Sequence, residues 1–227
     1  MDPLTGYDKQ RLFEYGKLHL STFLSLNSLA QPKAILTYDE ARTPERRDTY
    51  ESRVLARLES GPYQGTGTGW YKNGVIFVSL QKASRLIVEP RFQNWSHPHY
   101  RVDREPAGVV CHEGGHHVQA LLRKAGRFDE RGWIRACLAS TVKKSPYRNR
   151  AALKRVTNYE PAWDEAFAES MRLFILNPGL LKAGLLSRYD FIEKDCGLYP
   201  HLNPDWRKLL SDYSPTYTIQ AEKWIAS

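Results

Sequence analysis

The sequence predicts an α+β fold in which helices pack on a small, mostly antiparallel sheet, and three observations carry that expectation. A helical pattern covers 8–29, Asn73-Gly74 marks a β-hairpin, and two further helical patterns cover about 103–126 and 160–177. With 227 residues, 41% hydrophobic and 26% charged, the chain is long enough to bury a substantial core. It shows no internal repeat or low-complexity tract. The expected division is an N-terminal helical appendage over 1–60 followed by one domain over 61–227.

Several classes are disfavoured at once. No apolar run approaches the roughly 20 residues that cross a bilayer, and the opening MDPLTGYDKQRLFEY has no basic region followed by an apolar stretch. Cys111, Cys137 and Cys196 are odd in number and widely spaced, which speaks against a disulfide framework or a cysteine-rich zinc ribbon. A reducing, cytoplasmic setting without membrane contact is expected. The net charge of +8 is concentrated: 123–155 holds 11 basic and 2 acidic residues, leaving the rest of the chain at −1. That segment, with Trp133 and Tyr147 inside it, reads as a solvated helical face or as a surface for nucleic acid or an acidic partner.

In chain order, Leu12, Tyr15, Leu18, Phe23 and Leu26 give the first helix apolar positions at helical spacing, and Pro32 follows it. A second helix is expected over about 43–58. The glycines of GPYQGTGTGW lack a following GK[ST], so a flexible loop is expected there and no phosphate site. From Gly69 to Leu80, two β-favouring arms flank Asn73-Gly74, the strongest short hairpin signal. His97 and His99, in a proline- and aromatic-rich loop, are candidate metal ligands by residue type only, and such a pair is usually structural or solvated.

The chemistry concentrates in Val109-Val-Cys-His-Glu-Gly-Gly-His-His117. It contains HExxH, with His112 and His116 four apart on one helical face, able to share one zinc ion, and Glu113 beside the open position. Asp103 and Pro106 start that helix, and Gly126 ends it after Arg123-Lys124. The interior Gly114 and Gly115 each cost about 1 kcal/mol relative to alanine, which asks for close packing of another element. His117 lies about 100° round the helix from His116 and reads as packing or surface. A catalytic zinc site usually takes three protein ligands, and no histidine follows at the HExxHxxGxxH spacing. A carboxylate from a second helix is the other solution. Glu165 and Glu169 stand one turn apart in the helix that Pro161 opens and Asn177-Pro178-Gly179 ends, so one can bind zinc while the other orients a ligating histidine. Phe167, Met171 and Phe174 supply its apolar stripe, and Ala162, Ala166 and Ala168 permit a close neighbour.

HEGGHH followed 49 residues after His116 by DEAFAESMRLFI resembles the gluzincin zinc peptidases of the anthrax lethal factor-like group, to which the Pro-Pro endopeptidases are similar. The resemblance covers about 66–190 and implies a zincin-like metallopeptidase domain. It assigns His112, His116 and Glu165 as zinc ligands, Glu169 as the acidic residue behind them, and Glu113 as general base. Tyr159 resembles the family tyrosine that stabilises the oxyanion. The strands near Gly74 are similar to those that hold peptide substrate in extended form, which implies a substrate edge along Val75, Phe77 and Ser79. The function expected is hydrolysis of peptide bonds in a peptide or protein substrate. The alternatives are a zincin scaffold that binds without turnover, and a peptidase acting on nucleic-acid-associated proteins through 123–155.

Overall fold

The computed structural model describes residues 6–43, 69–80, 106–141, 160–176 and 178–201. Their elements are α1 (Gly6–Leu26), β1 (Ala34–Thr37), α2 (Tyr38–Ala41), β2 (Gly69–Lys72), β3 (Val75–Val78), α3 (Pro106–Lys124), α4 (Glu130–Thr141), α5 (Glu160–Leu176), α6 (Pro178–Gly184) and α7 (Leu186–Asp190), which runs into a π-helical turn, Phe191–Asp195. The architecture is α+β. The expected helix over about 43–58 lies, beyond Thr43, outside the described residues.

The hairpin forms where the sequence placed it. Asn73 and Gly74 both take positive φ, 52° and 86°, the type I′ turn that suits the twist of two antiparallel strands. β2 pairs antiparallel with β3, Trp70 opposite Phe77 and Lys72 opposite Val75. β1 then adds parallel to β3, from Ala34 opposite Val75 to Thr37 opposite Val78. The Lys33 N–H donates to the Gly74 carbonyl at 2.7 Å and fixes that register. The order β1-β3-β2 gives one parallel and one antiparallel pair, so the sheet is mixed and not mostly antiparallel. β1 escapes a reading by pattern because Ala34-Ile-Leu-Thr37 is four residues long and does not alternate. Thr37 ends it by capping α2: its hydroxyl accepts from the Glu40 N–H, and the Glu40 carboxylate accepts from the Thr37 N–H.

Among the described residues, α1, α3, α5 and the sheet meet in the main core, which α4, α6 and α7 extend. Phe13, Leu20, Phe23 and Leu24 of α1 pack with Val109, Val110, Val118 and Leu122 of α3, Phe167, Met171 and Phe174 of α5, and Ile76 and Val78 of β3. Residues before 44 therefore supply one wall of the core and an outer strand of the sheet. Helical spacing alone placed Leu18 and Leu26 among the inward positions of α1, yet they are 64% and 53% exposed. The rotation of α1 is set instead by Gly16, where an added Cβ would stand 2.7 Å from the Ala107 Cα of α3. α4 closes the other side: Trp133 packs edge-on against Phe167, and its indole N–H donates to the Trp163 carbonyl at 2.9 Å. Among the described residues, no helix is long and apolar enough to cross a membrane.

Two outcomes follow for stability. Phe23 is fully buried against the edge of Phe174, so Phe23→Ala is expected to lower the unfolding free energy by about 3–5 kcal/mol in urea titrations. His19 is buried on α1 with its ring 4.1 Å from that of Tyr15. Burial first, and then the neighbouring His201, lower its pKa from 6.5 to about 4. The unfolded chain thus takes this proton near pH 6.5 and the folded chain does not. Stability is complete above pH 6.5 and falls as the pH drops towards 4, by up to roughly 3 kcal/mol. Denaturant midpoints across pH 4–7 should show this slope for the wild type and a shallower one for His19→Phe.

Candidate metal centre

α3 starts at Pro106, whose fixed φ suits a first helical turn, and ends in a Schellman motif. Gly126 has φ 66°, the Arg127 N–H bonds the Leu122 carbonyl and the Gly126 N–H bonds that of Arg123. Between these ends, His112 and His116 stand on one face with ring centroids 5.2 Å apart. α5 brings Glu165 to them. Glu165 Oε2 lies 3.2 Å from His112 Nε2, and Oε1 lies 3.6 Å from His116 Nε2. One ligand atom from each of the three side chains lies within 4.8 Å of the others. Two imidazole nitrogens and one carboxylate oxygen are the donor set of a catalytic zinc site that keeps a position open, so the residues fit that ion. Glu169 occupies a different place, with Oε1 3.4 Å from His112 Nδ1. The two glutamates thus divide between the two ring nitrogens of His112.

The glycines of HExxH let the helices approach. A Cβ on Gly115 would stand 2.7 Å from the Ala168 Cα and 2.9 Å from its carbonyl oxygen, so α3 and α5 meet backbone to backbone beside the ligands. A Cβ on Gly114 would stand 2.6 Å from a methyl of Leu20 on α1. Each glycine faces a different neighbour, which supplies the packing reason for their low helix propensity. At the end of the α3–α5 contact, Asp164 accepts from Gln119 at 2.9 Å and from Arg123 at 2.8 Å, tying the residue next to Glu165 to α3.

Glu113 points towards the sheet. It is buried, its carboxylate accepts the main-chain N–H of Tyr71 on β2, and a Cβ on Gly69 would stand 2.8 Å from its Oε1. His117 is packing and not surface: its Nε2 lies 2.9 Å from the Ala30 carbonyl and its Nδ1 lies 3.2 Å from the Tyr71 hydroxyl. A carbonyl only accepts, so Nε2 carries the proton and Nδ1 accepts from the hydroxyl. Burial lowers the His117 pKa against the opposing Ala30 bond, which keeps the ring neutral. This bridge holds β2 and the segment after α1 to α3.

The cluster is strongly coupled. Burial disfavours the charged form of His112, but bonds to Glu165 and Glu169 override it and raise its pKa well above the usual value. Burial would raise the Glu165 carboxyl, yet bonds to His112 and His116 hold it far below its usual range. Glu165 is 62% exposed, so water screens part of that attraction. Burial also opposes ionisation of Glu169, and the charge of Arg172 with the bond to His112 reverses it. Glu113 is the exception: burial raises its pKa beyond the opposing pull of His112, His116 and the Tyr71 N–H. Two carboxylates held ionised beside a third that resists ionisation make an asymmetric acid–base set.

The expected substrate edge is not an edge. β3 is central, flanked by β1 and β2 over Val75–Val78, so its main-chain groups are committed to neighbours, and Phe77 and Ser79 are buried. β2 is the strand that borders Glu113. Tyr159, His97 and His99 lie outside the described residues. Within the described part of the basic segment, Arg123 pairs with Glu130 and Asp164, Arg135 with Asp129, and Arg127 donates to the Cys196 carbonyl. Sequence reasoning missed Gly69, Tyr71 and Arg172. The fixed spacing of Arg172 from Glu169, three residues on the same helix, was the available signal for one of them.

Gly115→Ala is expected to force α3 and α5 apart, since backbone cannot yield, and to reduce both thermal stability and zinc affinity. Gly114→Ala meets the buried Leu20 side chain and not backbone, so it should be milder in both. Thermal unfolding and chelator competition would rank them. No protein-family description, curated protein or solved structure matches this chain.

Proposed function

We propose that this chain is a zinc-dependent peptidase of the gluzincin kind, with His112, His116 and Glu165 as the zinc ligands and Glu113 as the general base. The observation that carries the reading is the convergence of the three ligand atoms within 4.8 Å, from two helices, beside a buried glutamate that is not among them. A site built only to bind zinc has no need of Glu113. Zinc in such a centre supplies Lewis acidity, polarising a carbonyl and making water nucleophilic near neutral pH.

The remaining work falls to the chain's own side chains. Glu113 accepts the proton of the attacking water and delivers it to the leaving amine, the role of a buried carboxylate beside the open position. The Tyr71 N–H holds that carboxylate in place, and the missing side chain at Gly69 leaves room for it. Glu169 orients His112 by accepting from Nδ1, which leaves Nε2 for zinc. Tyr159 is assigned the oxyanion on resemblance alone. The peptide approaches Glu113 past β2, which replaces β3 as the strand bordering the reaction.

Elemental mass spectrometry of freshly purified protein should find about one zinc per chain in the wild type and a large loss in His116→Ala. Glu113→Gln should keep zinc while its hydrolysis of a peptide library falls at least about 100-fold. A Glu113→Gln protein with zinc and full activity would overturn the base assignment. A wild type that takes no zinc at neutral pH would overturn the reading.

A further inference from the structure

Behind the ligand cluster, α5 carries a buried cation. Arg172 is 2% exposed, and its Nε donates to Glu169 Oε2 at 2.7 Å. The other oxygen of that carboxylate, Oε1, is the one 3.4 Å from His112 Nδ1. The two oxygens of Glu169 are thus divided, one to the arginine and one to the histidine. The line continues through the ring, since His112 Nε2 is the nitrogen that faces Glu165. Resting on the zinc reading above, we infer that Arg172 is a positioning residue for the metal centre, acting on His112 through Glu169.

The reason is geometric and electrostatic. A carboxylate with one rotatable bond to its stem can turn its oxygens away from a histidine unless a second partner fixes its plane. Arg172 lies one turn along the same helix and supplies that partner from a rigid, planar donor group. Glu169 is itself largely buried, 17% exposed, so its charge also needs a counter-charge at close range to remain where it is. Without the arginine, the carboxylate loses its fixed plane and its partner together, and His112 is no longer presented with Nδ1 occupied and Nε2 directed outward. Carboxylates that orient ligating histidines typically contribute 10- to 100-fold to metal affinity. A residue that acts through one of them should contribute towards the lower end of that range.

The alternative is that Arg172 only fills space in α5. Coupling separates the two. Zinc affinity would be measured on the full chain by competition with a chromophoric chelator, for wild type, Arg172→Met, Glu169→Gln and the double variant, with thermal unfolding of the zinc-free proteins alongside. Arg172→Met is expected to weaken zinc binding about 10-fold, and to add little once Glu169→Gln is present. Unchanged affinity in Arg172→Met, or losses that multiply fully in the double variant, would overturn the inference. If Arg172→Met does not fold, Arg172→Lys takes its place: it retains the charge but not the planar donor, and its loss must likewise vanish in the Glu169→Gln background. Failure of the wild type itself to bind zinc would instead overturn the metal centre, and this inference with it. The cobalt-substituted proteins give a second readout, because a displaced His112 alters the visible ligand-field spectrum while a space-filling role leaves it unchanged.

Discussion

The close approach of α3 and α5 at Gly115 and Ala168 is the constraint on which the rest of the site depends. The contact is backbone to backbone, and beside it the Glu165 side chain on one helix reaches two histidines on the other. A larger residue at Gly115 would meet the α5 backbone and force the two helices apart. Two glycines in the middle of a helix weaken it locally, and the fold offsets this with two different neighbours, α5 at Gly115 and Leu20 of α1 at Gly114. α3 is therefore gripped from both sides where His112 and His116 emerge.

That grip explains why the N-terminal residues belong to the physics of the centre. α1 lies on α3 through Gly16 and Leu20, while the segment after it is fastened at Ala30 to His117, the neighbour of His116. His117 also holds the Tyr71 hydroxyl, and the main chain of Tyr71 holds Glu113. One helix thus presents His112 and His116 towards α5 on one face and Glu113 towards β2 on another. These interactions all meet on α3.

Charge is organised around the same contact. Glu165, Glu169 and Glu113 lie close together, and carboxylates so placed repel unless cations separate them. His112 stands between Glu165 and Glu169, and Arg172 stands behind Glu169. Glu113, beside the histidines but against the sheet, is the carboxylate that burial pushes towards its neutral form. Glu165 lies at the exposed end of the cluster, where it meets solvent, and the Arg172–Glu169 pair lies at its buried end.

Much was legible in the residues themselves. HExxH on one helix and the Glu165–Glu169 pair on another are local patterns, set by the 3.6-residue period, and both helices form where that period and their proline and glycine punctuation place them. The type I′ hairpin was equally local, because Asn73-Gly74 can take positive φ where few other pairs can. Which glutamate faces the two Nε2 atoms was not local: it depends on how α5 is turned against α3. The parallel strand β1, the inward face of α1, the central place of β3 and the alignment of Arg172 with Glu169 and His112 were likewise decided only by tertiary packing. Sequence spacing fixes which side chains share a face of one element, whereas long-range contact alone decides what that face meets.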